Sequence, residues 1–115
     1  GEWGIVFYIT PDSTNGLGAA TQEQSNGSKW YEAQNYISDP LNHSVDGQQF
    51  TDWRLPTKYE LNLMYVLSSF GFAPDYYWSS DYQTDFAWRQ DFVSGYQDYA
   101  SKWYNFHRVR AIRAF

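Results

Sequence analysis

The basic side chains in the last quarter of the chain have the clearest capacity to bind a charged ligand. The candidate contacts there are Arg89, Lys102, Arg108 and Arg110. Each arginine presents a planar pair of N–H donors that fits two oxygens of a sulfate or carboxylate group. If Arg108 and Arg110 share one strand, both side chains lie on the same face about 7 Å apart, a spacing that suits neighbouring anionic groups on a polymer.

A structural interpretation stands beside this one. Arg113 has the opposite parity to Arg108 and Arg110 in a regular strand, so we expect Arg113, like Arg54, to serve in a structural ion pair. For Arg108 and Arg110 a ligand contact and a structural ion pair both stay open. The same holds for Lys102 and Arg89 between a ligand contact and a solvated position, because basic residues at exposed strand edges also prevent edge-to-edge pairing.

Charge is unevenly distributed along the chain. Residues 1–85 carry three basic and eleven acidic side chains, a balance of −8, whereas residues 86–115 carry five basic and two acidic ones, a balance of +3. The total of −5 argues against a nucleic-acid partner, since nucleic-acid binders usually carry a positive balance. Binding of a polyanion therefore requires the positive charge to be segregated in three dimensions.

Aromatic residues are the second candidate group. Trp53, Trp78 and Trp88 are embedded in longer sequence motifs, and such tryptophans are predicted to belong to the core. Four tyrosines lie among polar turn residues, where a ring can stack on a sugar face and its hydroxyl can donate a hydrogen bond. These are Tyr82, Tyr96, Tyr99 and Tyr104, and Tyr104 joins the basic residues as a candidate ligand contact.

Metal and catalytic signals are weak. Five aspartates could supply oxygen ligands to calcium, but their spacing matches no calcium loop and no sugar–calcium motif is present; they are Asp75, Asp81, Asp85, Asp91 and Asp98. His43 and His107 have no spaced partners for zinc. Ser79 and Ser80 lack the glycines of a nucleophile elbow, and accidental carboxylate pairs are expected among thirteen acids. We expect no cofactor, no metal and no enzymatic activity.

The pattern of residues predicts an α+β domain. Gly4–Ile9 and the segment around Gly16–Ala20 form an N-terminal hairpin, and Thr21–Gly27 is a loop. Ser28 caps a helix that ends at Asp39-Pro40, and Leu41–Asp52 is a surface loop. A capping box, Thr57 to Glu60, starts a second helix at Lys58 that ends near Ser69 and Gly71. The predicted strands that follow, an antiparallel meander, are Tyr76–Ser79, Phe86–Phe92, Lys102–Phe106 and Val109–Ala114.

Length and composition bound the class of protein. The 115 residues, 43% hydrophobic and 22% aromatic, fill one core, so we expect residues 1–115 to form a single domain. Cysteine is absent, which excludes disulfides and thiolate chemistry. No apolar run reaches the length of a membrane-spanning helix, and the opening residues Gly1-Glu2-Trp3-Gly4 do not have the charged and apolar regions expected of a signal peptide. Enrichment in Asn, Gln, Ser, Tyr and Trp favours a secreted or bacterial cell-surface protein.

Several motifs resemble one family. They are Asp52-Trp53-Arg54-Leu55-Pro56-Thr57-Lys58-Tyr59-Glu60-Leu61, Tyr77-Trp78-Ser79-Ser80, Ala87-Trp88 and the ending Val109–Phe115. In this order they are similar to the C-terminal domain of the Legionella collagen-like adhesin family. The resemblance implies a C-type-lectin-like fold, a homotrimer on a collagen-like stalk, and binding of sulfated glycosaminoglycans. The fold of formylglycine-generating enzymes carries a similar segment, but their chemistry needs cysteines that this chain lacks.

Three hypotheses follow. The first is a calcium-independent adhesin head that binds sulfated glycosaminoglycans or another anionic polysaccharide through the basic C-terminal residues. The second is a display module of the same fold whose Tyr-, Asn-, Asp- and Ser-rich loops recognise a protein receptor in a salt-insensitive way. The third, a metal-dependent glycan hydrolase, predicts turnover that chelation abolishes.

Overall fold

The strands of this computed structural model, which describes residues 2–68 and 71–115 except for the side chain of Ser68, form two sheets. The strands are β1 (Gly4–Ile9), β2 (Gly16–Ala20), β3 (Ser25–Ser28), β4 (Tyr76–Gln83), β5 (Phe86–Asp91), β6 (Gln97–Ser101), β7 (His107–Val109) and β8 (Ile112–Ala114). The smaller sheet has the order β1-β2-β8 and the larger one the order β3-β7-β4-β5-β6. All described strand pairs are antiparallel except β4 with β7.

Two α-helices lie among the described residues, α1 (Ala33–Ser38) and α2 (Lys58–Ser68). Short 3₁₀ turns precede and follow α1, at Trp30–Glu32, Pro40–Asn42 and Asp46–Gln49. The predicted α+β class, the N-terminal hairpin and the end of the first helix at Asp39 are thereby confirmed. No helix in the described ranges combines the length and the apolar character needed to cross a lipid bilayer.

The capping box at the start of α2 has the predicted geometry. The Thr57 hydroxyl accepts a hydrogen bond from the Glu60 amide at 3.1 Å, and the Glu60 carboxylate accepts one from the Thr57 amide at 2.9 Å. Glu60 also accepts two hydrogen bonds from the Arg54 guanidinium, at 2.7 and 2.8 Å. Burial alone would raise the pKa of Glu60, but the bonds from Arg54 and Thr57 outweigh it and hold this pKa below its usual value. The predicted end of the helix near Ser69 lies outside the described residues.

Thr57→Ala is expected to lower the free energy of unfolding by about 1 kcal/mol, because one orphan amide of α2 loses its acceptor. Urea denaturation at neutral pH measures the change, with the exposed Thr21→Ala as the control. The pKa of Glu60 is lower in the folded chain than in the unfolded chain. The stabilisation that Glu60 gives to the folded state is therefore complete above the ordinary pKa of 4.5, and it is lost as the pH falls through the lowered pKa. Equal stability of the two variants would contradict the capping role.

Three expectations about local structure are wrong. Ser28 does not cap a helix, because it belongs to β3 and its hydroxyl donates to the Lys29 carbonyl at 2.7 Å. The segment Ser25–Ser28, expected to be loop, is a strand because it pairs with β7, a tertiary contact that overrides weak propensity. Lys102–Phe106, expected to be a strand, is a turn and irregular segment. There the Asn105 side chain accepts from the Ser101 amide at 2.9 Å and competes with ladder pairing.

The chain end is divided between the two sheets. The strand predicted over Val109–Ala114 is interrupted at Arg110 and Ala111, so β7 joins the larger sheet and β8 the smaller one. The backbone of Arg54 bridges to Ile112 at 2.8 and 3.0 Å, which ties the motif before α2 to the smaller sheet.

The core lies on both faces of the larger sheet. Successive side chains of β4 point to opposite faces, so Tyr77 packs with Leu61 and Met64 of α2, whereas Trp78 packs with Ala33 and Ile37 of α1. Trp53 and Trp78 are buried as predicted, while Trp88 is only half-buried. The face that carries α1 also carries the surface described next.

Candidate ligand-binding surface

The five arginines of the chain all pair with carboxylates. Arg89 bonds Asp98 through two nitrogens, at 2.8 and 3.2 Å, and these bonds raise the pKa of Arg89. Arg113 bonds Asp52 at 2.8 and 3.1 Å, and Arg54 bonds Glu60. The expectation that Arg113 and Arg54 serve in ion pairs is thereby confirmed.

Arg108 and Arg110 do not share one strand, because β7 ends at Val109, but both side chains approach the same acid, Glu23. Glu23 accepts from Arg110 Nη2 at 3.0 Å and lies 4.0 Å from Arg108 Nη1. Arg108 also bonds Asp75 at 3.2 Å and Asn26 at 2.8 Å. Arg110 is only 5% exposed, and its guanidinium stacks on the Phe72 ring at 4.6 Å.

The basic residues near the chain end therefore do not gather into one exposed positive surface. The carboxylates that neutralise Arg108, Arg110 and Arg113 come from distant parts of the chain, which a count of charges along the sequence does not reveal, whereas Asp98 lies nine residues after Arg89. Arg110 in particular is a structural ion-pair partner inside the protein, which corrects its assignment as a ligand contact. Ligand binding by Arg89 or Arg108 stays a prediction.

The three lysines behave differently from the arginines. Among the side chains that the structure describes, no ion pair involves a lysine. Their ammonium groups lie over aromatic rings instead, Lys29 over Phe106 and Lys58 over Trp88. The cationic charge that is not offset by a neighbouring carboxylate thus belongs to the lysines.

Lys102 has the most enclosed ammonium of the three. The residue is 3% exposed, and Nζ lies 4.1 Å from the Tyr82 ring centre, 4.6 Å from that of Trp30 and 5.3 Å from that of Tyr31. The turn after β6 folds the side chain inward, and the Lys102 amide donates to the Asp85 carbonyl at 3.0 Å. A desolvated ammonium among three rings is stabilised by their quadrupoles.

The same rings present their outer surfaces to solvent. Tyr31 and Trp103 are roughly half exposed and pack ring to ring at 4.4 Å, and Tyr82 is more exposed still. Trp30 joins them, with centroids 5.3 Å from both Tyr31 and Tyr82, and its indole N–H is fixed on the Ser79 carbonyl at 2.8 Å. We call Trp30, Tyr31, Tyr82 and Trp103 with Lys102 the aromatic cluster.

An open groove of about 510 Å³ runs beside the aromatic cluster. Trp30 and Tyr31 form one wall, and Arg54, Leu55 and Thr57 line the rest together with Gln34 and Ser80. The volume falls in the range of small-ligand sites. The groove is mostly apolar, and the enclosed Lys102 ammonium packs against two of the rings that line it, Trp30 and Tyr31. Such a groove suits a ligand that has flat apolar faces and negative charge.

The tyrosines predicted at the surface are exposed. Tyr82, Tyr96 and Tyr99 are each about half exposed or more, and Tyr104 reaches 85% in the turn that carries Lys102. Tyr82 belongs to the aromatic cluster, whereas Tyr96 lies before β6, at the opposite end of that strand from Lys102. The ligand roles of these tyrosines stay predictions.

Four of the five aspartates considered for calcium make other side-chain contacts. Asp75 and Asp98 pair with arginines, Asp81 accepts from the Lys58 amide at the start of α2, and Asp91 accepts from the Val93 amide. Within residues 2–67 and 71–115, no group of three or more His, Asp or Glu side chains is placed to hold a metal ion.

The side chains of His107 in β7 and Arg89 in β5 lie next to each other on the larger sheet. Arg89 Nη1 donates to His107 Nε2 at 3.0 Å, so that nitrogen carries no proton. Burial first, and the neighbouring Arg89 charge second, lower the pKa of His107 to about 4. The unfolded chain takes up the proton near pH 6.5, so we expect the folded state to lose stability as the pH falls from there towards 4.

An NMR titration of the imidazole checks this expectation and should place the His107 midpoint near 4. In His107→Gln the loss of stability between pH 6.5 and 4, measured by urea midpoints, should be smaller than in the parent protein. A midpoint near the ordinary histidine value would contradict the described environment.

The described residues form an α+β module with an exposed aromatic surface beside an open groove. The chain belongs to the family of Lcl C-terminal domains, whose model matches residues 8–113. This match confirms the resemblance that the Trp53–Leu61 segment and the chain ending indicate. The family is of adhesin type and is not a known enzyme family, and it implies a surface-exposed protein. A comparison with curated proteins finds no match.

Proposed function

We propose that this domain is the head of a bacterial surface adhesin that binds a sulfated, glycosaminoglycan-type polysaccharide without calcium, and that the contact surface is the aromatic cluster with its groove. The observation that carries the proposal is Lys102, an ammonium enclosed by three rings and paired with no carboxylate among the described residues. Tyr104, beside it in the same turn, belongs to this surface in our proposal.

The physical basis has two parts. Sugar rings have an apolar face that stacks on exposed aromatic side chains such as Tyr31 and Trp103. The Lys102 charge acts from a low-dielectric position, where it is screened less by salt than an exposed charge. An anionic sugar therefore gains both stacking and attraction at the groove, while the net charge of −5 disfavours polyanion binding elsewhere on the domain.

The proposal also includes the assembly of three copies of the domain. Membership of the family supports a secreted homotrimer carried on a collagen-like stalk. Three copies of a weak site on one head would act together on a repeating polysaccharide, so the affinity of a single site need not be large. No nucleic acid and no membrane insertion form part of the proposed function.

Calorimetric titration with heparin oligosaccharides and with their desulfated counterparts of the same length tests the proposal. We expect the sulfated oligosaccharides to bind at least 10-fold more tightly, with an affinity that falls as salt is added and is unchanged by EDTA. Absence of binding to any sulfated polysaccharide at low salt would overturn the proposal. Salt-insensitive recognition of a protein partner by the same aromatic residues would favour the display-module alternative.

A further inference from the structure

The chain contains two Asn-Gly dipeptides, Asn15-Gly16 and Asn26-Gly27. In such a dipeptide the glycine amide nitrogen can attack the asparagine side chain and release ammonia, because glycine has no Cβ to crowd the attack. The reaction requires a change of backbone conformation and a glycine amide that is not held in a stable hydrogen bond. The two dipeptides differ in both respects.

The dipeptide Asn15-Gly16 is locked into the smaller sheet. Gly16 is buried, and its backbone exchanges hydrogen bonds of 2.8 and 3.0 Å with the backbone of Phe115. The Asn15 carbonyl accepts from the Thr10 amide at 2.9 Å. A Cβ built on Gly16 would lie 2.7 Å from the Tyr8 carbonyl oxygen, so the surroundings are tightly packed. We therefore expect the fold to protect Asn15 from this reaction.

The dipeptide Asn26-Gly27 lies in an exposed bulge of β3. This strand pairs with β7 at its first and last residues, Ser25 and Ser28, so Asn26 and Gly27 both stand opposite the single residue Arg108. The ladder of backbone hydrogen bonds is locally disrupted in a bulge. The Gly27 amide donates to the Ser25 hydroxyl at 3.1 Å, a bond to a side chain at the surface, and both residues of the dipeptide are exposed. The Gly27 amide is thus released by a small local opening.

The Asn26 side chain is bonded to a charged donor. Its Oδ1 accepts from Arg108 Nη1 at 2.8 Å. A charged donor draws electron density from the amide carbonyl and stabilises the negative charge that forms on Oδ1 when a nucleophile attacks the carbon. Arg108 therefore favours attack at the Asn26 side chain, and Asn15 has no arginine in this position, since its side chain donates to the Thr14 hydroxyl.

We propose that Asn26 is a site of spontaneous deamidation in the folded domain. Hydroxide removes the proton of the Gly27 amide, and the nitrogen forms a bond to Asn26 Cγ while Arg108 stabilises the charge on Oδ1. The bond from Cγ to Nδ2 then breaks, and Nδ2 leaves as ammonia with a proton from water. Water opens the resulting succinimide ring at either carbonyl, which leaves aspartate or isoaspartate at position 26.

The product changes the charge around Arg108. Arg108 already bonds Asp75 at 3.2 Å and lies 4.0 Å from Glu23. Deamidation adds a third carboxylate beside it and one negative charge to the net charge of −5. Arg108 is then withdrawn from any anionic ligand, because local negative charge repels such a ligand.

Incubation of the intact domain at mildly alkaline pH, followed by peptide mapping with mass spectrometry, tests the proposal. We expect the peptide that contains Asn26 to gain one mass unit and to acquire isoaspartate, while the peptide that contains Asn15 stays unchanged. In urea both dipeptides should react at similar rates, because the protection of Asn15 depends on the fold. Equal protection of Asn26 and Asn15 in the folded domain, or a difference that persists in urea, would overturn the proposal.

Two variants test the roles of the neighbouring residues. A Cβ on Gly27 would meet only the Phe106 Cβ, at an ordinary 3.8 Å, so Gly27→Ala should fold. We expect it to react about 10-fold more slowly, which corresponds to a barrier about 1.4 kcal/mol higher. Arg108→Gln should react about 3-fold more slowly, since an exposed donor stabilises charge less than a buried one. Faster reaction in Arg108→Gln would contradict the role of Arg108, and if that variant does not fold, the comparison of the two dipeptides decides alone.

Discussion

Glu23→Ala is expected to lower the free energy of unfolding by about 3–5 kcal/mol, because it leaves a buried guanidinium without its counter-charge. Arg110 bonds Glu23 at 3.0 Å and is held between the Ala20 carbonyl, at 2.9 Å, and the Phe72 ring. The Tyr77 hydroxyl donates to the same carboxylate. One side chain thus neutralises Arg110, contributes to the neutralisation of Arg108 and orients Tyr77.

Urea denaturation at neutral pH measures this loss, with the exposed Glu32→Ala as the matched control that should stay within about 0.5 kcal/mol of the parent. In the double variant Glu23→Leu with Arg110→Met we expect much of the stability to return, since an apolar pair of similar volume often replaces a buried ion pair without loss. A Glu23→Ala protein within about 1 kcal/mol of the parent would contradict the buried pair.

The elements that the sequence predicts well are those decided by near neighbours. The Thr57 and Glu60 capping box lies within a single turn, so its residues alone define the start of α2. The N-terminal hairpin is likewise decided by the turn at Pro11–Gly16, where the Thr10 amide closes on the Asn15 carbonyl at 2.9 Å. In both places the hydrogen-bond partners lie within five residues of each other.

The features that the sequence does not reveal depend on distant partners. In the sequence, the arginines near the chain end resemble an anion-binding site. The sequence does not show that Glu23, Asp75 and Asp98 pair with them. Lys102 was identified as a candidate, but the sequence does not show that Trp30, Tyr31 and Tyr82 enclose it. Two features of the sequence could have indicated the aromatic cluster. They are the high aromatic content and the lysines that are followed by Trp or Tyr.

Replacing both Tyr31 and Trp103 by alanine is expected to weaken binding of sulfated polysaccharide about 30-fold. Each ring stacked on a sugar is worth about 1 kcal/mol, by analogy with aromatic pairs, so the two together contribute about 2 kcal/mol. Both rings are roughly half exposed, and they contact each other at 4.4 Å. Calorimetry on the folded double variant measures the change.

Tyr59→Ala is the matched control, because its ring is well exposed and lies outside the aromatic cluster. We expect this variant to retain the parent affinity within about 2-fold. Loss of affinity in a control equal to that in the double variant would show that binding depends on exposed aromatic surface in general and not on the groove.

The tryptophans allow the contact surface to be located in one experiment, since each of the six carries an indole N–H that gives a separate signal in a ¹⁵N correlation spectrum. On titration with sulfated oligosaccharide we expect the signals of Trp30 and Trp103 to shift first and most, while Trp3, packed against Phe50 and Phe115, stays in place. Shifts at the Nε–H groups of Arg89 and Arg108, with Trp30 and Trp103 unmoved, would contradict this account.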